Sequence, residues 1–100
     1  MEPMIYRFDD YNVMLQFATY QTGQTRLALI DINDHSPIAV ATVNIPEVKL
    51  KTDEVIIKDY SENEGMLEFL VDNNIVSKPT GFIEIGYVIA HVCKLLIKRP

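Results

Sequence analysis

The chain reads as an α+β protein, a curled antiparallel sheet with one helix packed on a face. Three observations predict it. Residues 12–45 hold three stretches of period-two alternation separated by short polar turns. Residues 61–73 pair a helix-start signal with apolar residues at helical spacing. A β-branched stretch then follows Pro79-Thr80-Gly81. Strands gathered before a helix favour α+β over alternating α/β. A length of 100 residues makes residues 1–100 a single domain, large enough to bury its own core.

In order, Met4–Phe8 reads as a short opening strand. Asn12–Tyr20 follows, with Val13, Leu15 and Phe17 alternating against Met14, Gln16 and Ala18. Gln21-Thr22-Gly23-Gln24 is a turn, and Thr25–Ile32 alternates again, so the two form a hairpin. Asn33–Pro37 is dense in side chains that bond their own backbone. Ile38–Ile45 makes the third strand of a meander and Pro46 ends it, leaving 38–45 as an uncovered edge for oligomers. A polar connection leads into a short strand, Glu54–Lys58, and then a helix from Glu62 to about Asn73. Ile75–Lys78 is extended. In Phe82–Ile97, alternation favours a strand with Gly86 as a bulge. Val88, Val92, Leu95 and Leu96 also share one helical face, so strand and helix both stay open.

Composition excludes several classes. One cysteine, Cys93, allows no internal disulfide, and with two histidines the chain lacks the ligands of a structural zinc site. The expected compartment is the reducing cytoplasm. The start, MEPMIYRFDD, has acids where a signal peptide carries bases. The longest apolar stretch is interrupted by Glu84, Gly86, His91 and Lys94, so no membrane span is expected. Fourteen acids against nine bases give a net charge of −5, with basic clusters only at Lys49/Lys51 and Lys98-Arg99. Direct nucleic-acid binding is disfavoured, since phosphate neutralisation needs concentrated Lys and Arg; a basic protein partner suits the charge better.

The segment IKDYSENEGMLEFL, 57–70, poses the sharpest question. Ser61 is a preferred N-cap, Glu64 completes a capping box, and Glu62 and Glu64 suit the positive helix end. Gly65 then falls inside the helix, where it costs about 1 kcal/mol relative to Ala. Packing of the Tyr60 ring or a strand on bare backbone explains it; so does the approach of a ligand or partner.

With Thr42-Val43-Asn44-Ile45-Pro46 before it and Gly81-Phe82 after it, this segment resembles a family of small bacterial proteins of plasmids, phages and integrative elements. The shared layout is TVNLP, IKDYSENEGML, then GF, and it covers residues 42 to about 86. The family carries no established activity. The resemblance implies an accessory role on a mobile element, and a binding protein rather than a metabolic enzyme. The ending GYVIAHVCKLL runs longer than the family's short strand.

Glu64, Glu68 and Asp72 repeat every fourth residue, about 6 Å apart along a helix axis, with no basic residue at helical spacing. They form either a solvated face or a docking ridge. His91 and Cys93 share one side of a strand, read as packing rather than a nucleophile pair or metal ligands. Asp9-Asp10, Asp31, Asn33 and Asp34 fit Asx turns better than a calcium loop. No phosphate-cradling glycine loop or hydrolase motif occurs, and no cofactor or metal is expected. The expected function is non-enzymatic: a cytoplasmic accessory protein engaging a protein partner through the helix, with Tyr60, Glu62, Glu64, Gly65, Glu68 and Asp72 as contacts. The alternatives are a structural or oligomeric subunit, and an enzyme using Asp59, Glu62 and Glu64 as acid or base.

Overall fold

The structure, a computed structural model, describes residues 4–97. The α+β expectation holds, with the strands divided between two antiparallel sheets. The first contains β1 (Tyr6–Phe8), β2 (Tyr11–Thr19), β3 (Thr25–Asp31) and β4 (Pro37–Val40) in sequence order. The second contains β5 (Glu54–Ile57), β6 (Gly81–Ile85) and β7 (Val88–Lys94), ordered β5-β7-β6. A 3-10 turn, Ser61–Asn63, and the helix α1 (Met66–Asp72) lie between β5 and β6.

Alternation sets the register of the meander. Leu15 faces Leu29 and Phe17 faces Leu27, which puts the apolar set of β2 and β3 on one side. The polar turn behaves as its side chains dictate: Asn33 N–H donates to Asp31 Oδ1 at 2.7 Å and Ser36 N–H to Asp34 Oδ1 at 2.9 Å.

The third strand is shorter than its pattern, because residues 41–43 leave β3 and turn the corner between the sheets. Ala41 N–H still donates to the Leu27 carbonyl at 2.8 Å. The Ala41 carbonyl accepts from Lys58 N–H at 2.8 Å, and Val43 N–H donates to the Ile56 carbonyl at 3.1 Å. Buried Thr42 completes the corner by accepting the Leu27 N–H on its hydroxyl at 3.1 Å, so no ladder donor is lost at the switch. The edge expected at Ile38–Ile45 is therefore occupied through 41–43 by the second sheet.

The helix departs most from its sequence signals. It starts at Met66 with Gly65 as N-cap in the left-handed region, φ 92°, and Ser61 makes no capping hydrogen bond. Asp59 caps instead, its Oδ1 accepting Leu67 N–H at 2.8 Å and placing a carboxylate at the positive helix end. The capping box fails because Asn63 is drawn inward. The residue is 2% exposed and its amide donates to the Val40 carbonyl at 2.6 Å, which fixes a tight turn where the first helical turn was expected. Met66 and Leu70, one turn apart, are fully buried and aim the helix at the core. The helix ends as the Asn73-Asn74 pair favours. Asn74 is left-handed at φ 57°, its N–H donates to the Val71 carbonyl, and Ile75 N–H donates to the Leu70 carbonyl, a Schellman ending.

Residues 82–97 resolve in favour of strand. Gly86, at φ 58°, is the first residue of a two-residue hairpin turn rather than a bulge, and Ile85 pairs with Val88 across it. Val76 bridges Leu95 and is the bridged residue of the stretch 75–78, while Ile75 and Lys78 lie in bends. The core gathers Val13, Leu27 and Leu29 from the first sheet, Val55, Ile57 and Cys93 from the second, and Met66 and Leu70 from the helix.

Candidate functional site

The outward face of α1 and the β1–β2 turn enclose an open groove of about 300 Å³. Its floor is aromatic: Phe69 of the helix meets Phe8 of β1 edge-on, ring centroids 5.1 Å apart, and Tyr6 at 6.3 Å. Glu64, Glu68 and Asp72 line it from the helix side and Asp9 from the turn. Glu68 and Asp72 keep helical spacing, whereas Glu64 precedes the Gly65 cap and is placed by the turn. Among the described residues, none of these four carboxylates has an ion pair or a side-chain hydrogen bond. Arg7 also lines the groove, its guanidinium held by the Asp9 carbonyl at 3.2 Å and Asn12 Oδ1 at 3.4 Å.

The sequence-derived contact residues thus separate into two groups. Glu64, Gly65, Glu68 and Asp72 line the groove; Tyr60 and Glu62 do not. Glu62 accepts from the Lys58 ammonium at 2.6 Å, and that ammonium lies 5.6 Å from the centre of the Tyr60 ring. The shared hydrogen bond holds the Glu62 carboxyl below its ordinary pKa and the Lys58 ammonium above its own. Gly65 is required by its backbone. A methyl added there meets nothing within 4 Å, which corrects the expectation that Tyr60 or a strand packs on bare backbone at this point.

The acid–base trio of the enzyme reading is likewise dispersed. The Asp59 carboxylate is engaged by the helix N-terminus, Glu62 by Lys58, and only Glu64 reaches the groove. Cys93 is fully buried and burial pushes its thiol up to about 11, far from a reactive thiolate. His35 sits in an exposed turn at φ 61°. Among the described residues, no group of three or more His, Cys, Asp or Glu is placed to share a metal ion. No helix there is long and apolar enough to cross a membrane.

A larger cavity, about 420 Å³, opens between the β2–β3 turn and the connection 46–54. Its Gln24 and Glu54 side chains are engaged internally. Gln24 donates to the carbonyls of Ile45 and Val48 at 2.8 and 3.0 Å and accepts from Ile45 N–H at 3.2 Å. Glu54 accepts from Lys51 N–H at 2.7 Å. These bonds hold the connection in place. Lys49 and Lys51 border this cavity.

Sequence reasoning missed Arg7, Phe8 and Phe69 as groove residues. Asp9 was visible only as a turn oxygen, because nothing local announces that the β1–β2 turn reaches the helix. The fold and groove define a small α+β domain with an acidic, aromatic-floored surface cleft. Comparison of the chain with known protein families, curated proteins and solved structures returns no match.

Proposed function

We propose that this is a non-enzymatic cytoplasmic binding protein, an accessory factor of a mobile element, whose α1 groove takes a basic segment of a protein partner. The carrying observation is the pairing of unpartnered carboxylates, Glu64, Glu68, Asp72 and Asp9, with the Phe8–Phe69 floor. A Lys or Arg side chain suits such a place: its stem covers aromatic surface while its charge meets carboxylates. Like-charged neighbours on a helix destabilise it by a few tenths of a kcal/mol per pair, a cost that a bound cation relieves. Gly65 leaves the rim open at the helix start. Tyr60 and Glu62, occupied with Lys58, flank the groove rather than line it.

The test is a titration of the full chain with a fluorescent Lys/Arg-rich peptide at low and physiological salt. Affinity is expected to weaken with salt. The Glu68→Gln/Asp72→Asn double variant is expected to lose binding, while Glu47→Lys, which removes the same amount of negative charge at an exposed acid outside the groove, retains most of it. Equal losses in the two variants would reduce the effect to net charge and overturn the assignment. A lysate pull-down with parent and double variant then identifies what the groove retains.

A further inference from the structure

We infer that the free edge of β6 is a pairing surface for a second copy of the same chain, joined strand to strand about a two-fold axis at Ile83. β6 is the last strand of its sheet and pairs with β7 alone. It carries no Pro, Lys or internal bulge, and Glu84 is its one charged residue. The surface beside it is apolar: Phe82 is 64% exposed and Ile89, diagonal to it on the same face, 47%.

The register follows from the hairpin. In a two-residue hairpin the closing residues exchange both backbone hydrogen bonds, here Ile85 with Val88. Bonding alternates along the strand, so Ile83 also points its N–H and C=O at β7, whereas Phe82 and Glu84 point theirs outward. Two outward-bonding residues per strand allow few self-pairings. Centring on Glu84 sets two carboxylates opposite each other, and centring on Phe82 leaves Glu84 facing Thr80 beyond the strand. Centring on Ile83 uses all outward groups: Phe82 of each copy exchanges two bonds with Glu84 of the other, and Ile83 meets its own symmetry mate. Each Glu84 carboxylate then lies beside an aromatic ring rather than another carboxylate. Strand, charge and apolar surface thus share one self-complementary arrangement, as a closed dimer requires.

This pairing is independent of the acidic groove, and its test reads both association and register. Sedimentation of the full chain over a concentration series is expected to show a monomer–dimer equilibrium. Glu84→Pro removes an outward N–H and no bond to β7, so the fold, followed by circular dichroism, should persist. Its dimer Kd should rise on the order of tenfold or more through two lost bonds. A non-bonded antiparallel pair holds its Cα atoms about 4.5 Å apart, within disulfide range. Ile83→Cys is therefore expected to cross-link on mild oxidation. Ile85→Cys, placed roughly 14 Å from its mate in this register, is not. Cys93 is buried and does not compete. A monomer at every concentration, a dimer indifferent to Glu84→Pro, or equal cross-linking at 83 and 85 would each overturn the proposal. The cross-linking arm decides the matter even where the proline variant fails to fold.

Discussion

Replacing Gly65 with alanine discriminates between two accounts of the helix start by the sign of the effect. Were Gly65 a helix-interior residue, alanine would add about 1 kcal/mol of helix propensity. In the structure it is the N-cap at φ 92°, ψ −5°, a conformation that L side chains rarely adopt. Forcing a Cβ into the left-handed region costs roughly 1–2 kcal/mol. A methyl there meets no atom within 4 Å, so overpacking adds nothing to this cost. Alanine also restricts the unfolded chain, which returns about 0.4–1 kcal/mol. The net expectation is a loss of about 1 kcal/mol, seen in urea as a lower midpoint at unchanged slope. In a thermal melt of a domain this size that is about 4–8 °C. Gly65→Asn should lose less, because asparagine tolerates left-handed backbone. An alanine variant more stable than the parent would refute the reasoning, since it would require Gly65 to be helical.

Three further outcomes follow from the same contacts. Asp59→Ala should cost about 1 kcal/mol as the true cap of α1, whereas Ser61→Ala should stay within about 0.5 kcal/mol; comparable losses in chemical denaturation would restore the capping box. Asn63→Ala leaves the part-buried Val40 carbonyl without its side-chain donor and should cost about 1 kcal/mol, read by the same assay. Burial raises the folded-state Cys93 pKa to about 11 from an ordinary value of 9.0, so the unfolded chain loses its thiol proton first. Cys93 therefore contributes a loss of stability as pH climbs from about 9 towards 11, and Cys93→Ala should flatten that limb of a stability–pH curve relative to the parent.

Much of the architecture was legible because it depends on neighbours in the chain. Alternation at Val13, Leu15 and Phe17 against the matching set in β3 determines a hairpin, since a one-residue slip would turn every apolar side chain outward. The Asp31 and Asp34 side chains determine their turn through bonds only two residues long. The helix end near Asn73 is local too, set by the left-handed backbone of Asn74. Part of the candidate site could also be read: Glu68 and Asp72 were evident from helical spacing, whereas Glu64 reaches the groove from the turn.

What tertiary structure decided lies where a distant group outcompetes a local one. Ser61 and Glu64 form a sound local capping signal. Yet Asn63 reaches Val40, 23 residues away, and burying that amide with its bond made outweighs one more exposed helical turn. Asp59 reaches eight residues forward to the cap that Ser61 vacates. The C-terminal segment fits helix and strand patterns alike; Gly86 and the available partner strand β5 settle it as a hairpin. The groove floor and the open edge at β6 belong to no sequence window either. They exist because β1 is laid against α1, and because residues 41–43 join the second sheet at β5 and leave β6 as its other edge. Periodicity and turn chemistry determine which faces are apolar and where the chain reverses. Which faces meet is decided by burial and by backbone groups that must find partners once water is excluded.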